Sequence, residues 1–289
     1  GGIAEGYVLN KKYNHNLKTA KLVTARPLIK DFNQSQNSEL ENHPTFKEIP
    51  PESVTIPSEI KQNIMGNQLS KAIKEFVTTI EEKNNNLNLF FMYDNLRSLK
   101  LSKIHDFLFT NISGLYFIDK NEIKLMTSSK KTFFHELFHM ASSFKRNNIY
   151  YCGFMQHNGH TGSIGSGINE GYTNLLVEHY FGLKIRSYKN EVMIARQIEN
   201  IIGREKMEQL YFQANLQGLI GELCKYSSLD EVLKLIQTVD YINYITLNHN
   251  LGVIPIKKIY LDKSMTLVQE IIDNISKIKN QNNLKFEKK

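Results

Sequence analysis

Residues 135 to 139 read His-Glu-Leu-Phe-His, a spacing of ionisable side chains that could perform hydrolytic chemistry. Positions four apart on an α-helix lie on nearly the same side of the axis, so His135 and His139 can bind one metal ion together. Glu136 projects beside them, where its carboxylate can take a proton from a water molecule on the metal. The motif therefore predicts a zinc-dependent hydrolytic site. The alternative is an ordinary amphipathic helix with two surface histidines.

A catalytic zinc ion needs a third protein ligand and leaves its fourth position to water. One route extends the motif to H-E-x-x-H-x-x-G-x-x-H, but Ser142 and Lys145 occupy the positions of its glycine and last histidine. The other route takes a glutamate from a second helix. Glu170 is the candidate, because it follows the glycine-rich stretch 165–167, which lets the chain turn back. The alternative for Glu170 is a solvated glutamate favoured by the helix dipole.

The motif H-E-x-x-H followed by N-E-G-x-T resembles the gluzincin group of zinc metallopeptidases, and especially small bacterial zincin-like proteins with a G-x-N-E-G-Y-T signature. The resemblance covers roughly residues 110 to 215. It implies that His135, His139 and Glu170 bind Zn²⁺ and that Glu136 is the general base and proton shuttle. It also implies a peptide or protein substrate.

Asn174 is the point at which the chain departs from this pattern. Gluzincins commonly carry aspartate four residues after the ligand glutamate, where it accepts the N–H of a zinc-bound histidine and fixes its tautomer. An asparagine can still accept this hydrogen bond, but it carries no charge, so we expect weaker zinc binding and lower activity. A plain surface position for Asn174 is the alternative.

The resemblance further implies a tyrosine or histidine that donates to the developing oxyanion. We predict Tyr188 for this role, because it begins a new helical segment after Gly182. The other candidates are His157, His160, Tyr172 and Tyr211. The two histidines among them lie in a predicted loop between the ligand helices, where they could bind metal or simply be solvated.

The elements that position these residues are predicted from local patterns. Leu115–Ile118 and Ile123–Met126 flank turn residues and predict a hairpin, after which Thr127, Ser128 and Ser129 offer caps for a helix to about Phe144. We expect the strand at 123–126 to be the sheet edge beside the cleft, where an extended substrate would pair. Further upstream, Ser58 is expected to cap a helix, and residues 88–93 predict a β-strand.

The part of the chain after the ligand loop is predicted to be helical. The expected helices are Asn169–Phe181, Tyr188–Ile202, Lys206–Lys225, Leu229–Tyr241 behind a Ser228 capping box, and Ser264–Lys279, followed by a frayed tail at 277–289. The fold class is therefore α+β and zincin-like, with a small mixed sheet, an active-site helix and a mainly helical C-terminal lobe. The predicted domains are a polar arm at 1–56, an α+β lobe at 57–145 and a helical lobe at 146–289.

Composition limits the possible partners and compartments. The net charge is +7 among 289 residues, but no nucleic-acid-binding motif accompanies it, so no specific nucleic-acid partner is expected. An apolar run long enough to span a membrane is missing. Cys152 and Cys224 form no disulfide framework. The Gly-Gly start suggests a processed or recombinant terminus, and we expect an extracytoplasmic protein, secreted or anchored, over a cytoplasmic one.

Two other functions remain open from the sequence. One is a non-catalytic binding module that keeps the zincin fold, against which the intact Glu136 argues. The other is a secreted effector or toxin protease with a single protein target, which would show little activity on generic peptides. Cleavage specificity and oligomeric state have no signal in the sequence.

Overall fold

The computed structural model describes residues 64–83, 86–103, 114–125, 129–146, 148–158, 162–250 and 258–288. Within these ranges the protein is mixed α+β and mostly helical, with two small sheets. One cluster of buried apolar side chains extends from Leu69 to Ile275. The predicted arm at 1–56 and the predicted cap at Ser58 lie outside the described residues.

The described chain runs from two helices through short strands into a helical C-terminal region. Its helices are α1 (Ile64–Lys83), α2 (Phe90–Leu96), α3 (Lys130–Ala141), α4 (Ser166–Phe181), α5 (Lys189–Ile202), α6 (Arg204–Phe212), α7 (Leu216–Cys224), α8 (Leu229–Asn250) and α9 (Lys258–Glu287). Its strands are β1 (Lys100–Lys103), β2 (Gly114–Phe117), β3 (Glu122–Leu125), β4 (Ser143–Arg146), β5 (Ile149–Cys152), β6 (Met155–Asn158) and β7 (Gly162–Ile164). None of the helices in the described ranges is long and apolar enough to cross a membrane.

The first sheet has the strand order β1-β3-β2. Strands β2 and β3 form the predicted antiparallel hairpin, with Tyr116 opposite Ile123. The expectation that β3 is the edge strand is wrong, because β1 pairs with it in parallel and places Leu101 opposite Ile123. Among the described residues, β2 therefore borders the sheet, and it packs against α3.

Helix α1 agrees with its apolar pattern, whereas α2 forms where the pattern predicted a strand. Leu69, Ile73, Phe76 and Ile80 of α1 are buried at the predicted helical spacing. Residues 88–93, by contrast, do not form the predicted strand, since α2 begins at Phe90. A short, mainly apolar run suits a buried strand and a buried helix equally, and here packing of Phe91 and Met92 in two different buried clusters selects the helix.

Helix α3 ends at Ala141, three residues before the predicted end. The hydroxyl of Ser142 donates to the carbonyl oxygen of Phe138 at 2.9 Å, and the hydroxyl of Ser143 donates to that of His139 at 2.5 Å. These bonds satisfy carbonyls that would otherwise continue the helix. Strands β4 to β7 then form an antiparallel meander in place of the predicted loop.

The helices after the meander follow the predictions in part. Helix α4 begins at Ser166, not at Asn169, whose side chain instead accepts the backbone N–H of Phe154 at 3.0 Å. The single helix predicted at 206–225 is divided into α6 and α7, because the side chain of Asn215 accepts the N–H of Gly218 at 2.7 Å and begins a new helix.

Helices α5 and α8 follow their predictions more closely, whereas the C-terminal tail does not. Helix α5 agrees with its predicted bounds, and Ser228 accepts the N–H of Glu231 at 3.2 Å to cap α8. Helix α8 extends nine residues beyond its predicted end, to Asn250. The predicted frayed tail is wrong, since α9 continues to Glu287.

Candidate metal centre

Three side chains of metal-ligand type converge between α3 and α4. Nε2 of His135 lies 3.0 Å from Nε2 of His139 and 3.0 Å from Oε2 of Glu170. The other carboxylate oxygen of Glu170 lies 3.4 Å from Nε2 of His139. A tetrahedral zinc ion with bonds of about 2.0–2.1 Å would hold its ligand atoms about 3.3 Å apart. The three side chains could therefore bind one such ion.

The charges at this point also favour a cation. His135, His139 and Glu170 are all buried, so water cannot screen the nitrogen and oxygen lone pairs that face one another. Burial lowers the pKa of His139 to about 3, which leaves its imidazole neutral at pH 7. Burial would also lower the pKa of His135, but the hydrogen bond and charge of Glu170 outweigh it and raise that pKa. An ionised carboxylate and two imidazoles thus face one another in a buried site, where a positive ion would offset the charge of Glu170.

Helix α3 orients its histidines because its other side is fixed in the core. The ring of Phe134 stacks on that of Phe181 at a centroid distance of 4.0 Å, and the ring of Phe138 meets that of Phe76 edge-on at 4.8 Å. Every residue from Phe133 to Ala141 is buried. These contacts prevent rotation of the helix about its axis, so the histidines keep their direction toward α4.

The N-terminus of α4 determines where Glu170 lies. Gly165 precedes the helix with φ of 89°, and a Cβ atom there would lie 1.8 Å from the carbonyl oxygen of Phe154. The carboxylate of Asp240, on α8, accepts the N–H groups of both Gly165 and Gly167 at 2.9 Å. The Asp240 carboxylate thus satisfies two N–H groups that have no partner within the helix, and it fixes the first turn of α4. Glu170 follows in the second turn.

Asn174 lies one helical turn after Glu170 and contacts the first histidine. Its side-chain oxygen is 2.5 Å from Nδ1 of His135, and its side-chain nitrogen donates to the carbonyl oxygen of Ser187 at 2.9 Å. Because the amide nitrogen is engaged by Ser187, the oxygen must face the imidazole. His135 therefore donates its Nδ1 proton to Asn174 and directs Nε2 at the cluster.

Glu136 is buried beside the cluster with one oxygen unsatisfied. The backbone N–H of Tyr116, in β2, donates to its carboxylate, while Oε2 has no hydrogen-bond partner among the described residues. Burial raises the pKa of Glu136 to about 7. A carboxylate with a pKa near neutrality and a free oxygen is suited to accept and return a proton.

Tyr188 covers the cluster from the start of α5. It has φ of 57°, a left-handed conformation that is uncommon for tyrosine, and its ring lies parallel to that of His135 at 6.1 Å. The hydroxyl forms a hydrogen bond with Glu170. Burial raises the pKa of Tyr188 well above its usual value, so the phenol keeps its proton and remains a donor.

The other candidate donors lie elsewhere or outside the described residues. His157 is in β6 rather than in a loop, and its Nδ1 lies 2.9 Å from the hydroxyl of Ser163. Tyr172 and Tyr211 are buried in the core with ring centroids 5.5 Å apart. His160 is not among the described residues. Of the described candidates, Tyr188 is the one that contacts a member of the cluster.

Three residues around the site carried no signal in the sequence. Cys152 lies against His139, Asp240 holds the start of α4, and Glu191 is a fully buried carboxyl group whose pKa burial raises to about 7. Cys152 and Glu191 reach the site from neighbouring elements and Asp240 from α8, and none of the three belongs to a motif. Local spacing therefore could not identify them.

Comparisons with protein-family models, with curated proteins and with solved structures find no match to this chain. The features of the chain with chemical meaning are the three converging side chains and the buried carboxylate of Glu136.

Proposed function

We propose that this protein is a zinc-dependent metallopeptidase of the gluzincin type, in which His135, His139 and Glu170 bind Zn²⁺. The observation that carries the proposal is the convergence of these three ligands beside the buried carboxylate of Glu136, which has one oxygen free. Structural zinc sites usually have four protein ligands, whereas catalytic sites have three and an open position. Two histidines and one glutamate are a ligand set of the catalytic kind.

When bound, Zn²⁺ would lower the pKa of a water molecule to about 7 and polarise the carbonyl group of the substrate. The role of the protein is then to move protons. Glu136 takes a proton from the attacking water through Oε2 and passes it to the leaving amine. The N–H of Tyr116 donates to the carboxylate and keeps it directed at the cluster. The free oxygen of this buried carboxylate is the atom that can accept the proton and return it.

Tyr188 and Asn174 support this chemistry from opposite sides. The hydroxyl of Tyr188 keeps its proton and lies at Glu170, so it can move to donate to the oxyanion that forms on the scissile carbonyl. Asn174 accepts the Nδ1 proton of His135 and so keeps Nε2 available as a ligand.

An extended peptide would bind along β2, and not along β3 as the sequence suggested. Strand β2 pairs with β3 on one side only within the described residues. The strand also lies next to the general base, because the backbone N–H of Tyr116 donates to Glu136 and a Cβ atom on Gly114 would lie 3.3 Å from Cγ of Glu136. Backbone pairing at this edge would bring the scissile bond to the general base, with little dependence on substrate sequence.

Glu136→Gln tests the proposal, because glutamine keeps the shape of glutamate but cannot accept the proton. General-base assistance contributes roughly 10²–10⁴ in rate, so hydrolysis of a peptide library should fall by at least that factor. Zinc content and thermal stability should stay near those of the wild type. Comparing the two zinc-loaded proteins also removes contaminating proteases from the measurement.

The same comparison distinguishes the rival functions. If wild type and variant both bind zinc but neither cleaves any library peptide, a non-catalytic module or a protease with a single protein target replaces the general peptidase. If wild type binds no zinc under zinc-replete conditions, the metallopeptidase proposal is wrong.

A further inference from the structure

The back of the His139 ring faces a cysteine. Nδ1 of His139 lies 3.6 Å from Sγ of Cys152, at the end of β5. Both residues are almost completely buried, so water is not available as an alternative partner for this nitrogen. The Nδ1 atom of His139 thus faces the sulfur of Cys152, whereas the Nδ1 atom of His135 faces the amide oxygen of Asn174.

The groups around the sulfur favour one position for the ring proton. The thiol of Cys152 can donate to the backbone carbonyl of His139 at 3.6 Å, which leaves its lone pairs to face the ring. The side-chain nitrogen of Asn169 donates to Sγ at 3.9 Å. In this arrangement the sulfur lone pairs accept, and the donor that faces them is an N–H on Nδ1 of His139. That tautomer leaves the lone pair on Nε2, the atom that faces Glu170.

The local fold holds Cys152 in this position. Strand β5 pairs Cys152 with Ser143, whose hydroxyl donates to the carbonyl of His139. The next residue, Gly153, has φ of 54°, and a Cβ atom on it would lie 2.2 Å from the side-chain oxygen of Asn169. The absence of a side chain at this glycine lets Asn169 approach, and Asn169 directly precedes Glu170. The sulfur thus lies between the two elements that carry the ligands.

We propose that Cys152 is a positioning residue, whose thiol accepts the Nδ1 proton of His139 and keeps Nε2 available for the metal. The inference rests on the proposed metal site, but it assigns a role to a residue outside the ligand set. A sulfur acceptor is uncharged and weak, so it fixes the tautomer and the ring orientation without adding charge at the metal.

The test compares Cys152→Ala with Cys152→Ser, two variants of nearly equal size that differ in the presence of an acceptor. Partners of metal-bound histidines typically contribute 10- to 100-fold to metal affinity. Competition of Zn²⁺ with a chromophoric chelator should show a loss of about that size in Cys152→Ala and a clearly smaller loss in Cys152→Ser. Cys224→Ala is the control, because Cys224 lies at the end of α7, outside the ligand cluster, and its loss should leave zinc affinity unchanged.

The second measurement needs neither a variant nor metal. Nitrogen-15 chemical shifts of the imidazoles in the metal-free wild type should place the proton of His139 on Nδ1. Equal zinc affinities of Cys152→Ala and wild type, equal losses in Cys152→Ala and Cys152→Ser, or a proton on Nε2 would overturn the inference. Failure of the wild type to bind zinc would instead refute the proposed function, while the nitrogen shifts would still decide the tautomer.

Discussion

Replacing Asn174 by aspartate should strengthen zinc binding while weakening the metal-free fold. The carboxylate would accept the Nδ1 proton of His135 with a full negative charge, at the position where the amide oxygen lies 2.5 Å away. We expect up to about tenfold tighter zinc binding, or about 1.4 kcal/mol, the low end of what partners of metal-bound histidines contribute.

The second oxygen of the new carboxylate has the opposite effect on stability. The amide nitrogen of Asn174 donates to the carbonyl of Ser187 at 2.9 Å, and aspartate would place an acceptor against an acceptor there. The cost is about 1–3 kcal/mol, and we expect about 1 kcal/mol because Ser187 is exposed and water can solvate its carbonyl. This cost falls on the metal-free and metal-bound proteins alike, so it lowers the free energy of unfolding without cancelling the gain in zinc affinity.

Chelator competition and denaturant unfolding of the metal-free protein measure the two effects separately. Asn174→Ala is the control: it removes the acceptor, so zinc affinity should fall about 10- to 100-fold. Unchanged or weaker zinc binding in Asn174→Asp, together with unchanged binding in Asn174→Ala, would show that Asn174 does not control the imidazole of His135.

Purified protein should contain about one zinc ion per chain, and elemental analysis of Glu170→Ala should find most of it lost; undiminished zinc would remove Glu170 from the ligand set. Tyr188→Phe should lower kcat by roughly 10²-fold or more while zinc content stays constant, because only the oxyanion donor is removed, and an unchanged kcat would exclude that role. Gly114→Ala would place a Cβ atom 3.0 Å from Cγ2 of Thr132 and 3.3 Å from Cγ of Glu136. It should reduce hydrolysis without loss of zinc, and full activity would argue against β2 as the substrate edge.

Local spacing was sufficient where the relevant contacts are local. His135 and His139 are one helical turn apart, so a helix through them puts both imidazoles on one side whatever surrounds it. The hairpin of β2 and β3 and the cap at Ser228 were predicted for the same reason, since turn residues and short-range hydrogen bonds determine them. Glu170 and Asn174 were identified through their place in a signature, again within a single helix.

Only the tertiary structure could decide which distant groups complete the site. Cys152 reaches His139 because β4 folds back directly from α3, and Asp240 reaches the start of α4 from a helix more than seventy residues away. Packing also selected a helix at Phe90 and made β3 a central strand, since burial on both sides and pairing with β1 are contacts between remote segments. Sequence periodicity shows which side of a helix or strand is apolar. Which other elements pack against that side depends on the whole chain. For this protein the types of the proposed metal ligands followed from the sequence, whereas their orientation and partners followed from the fold.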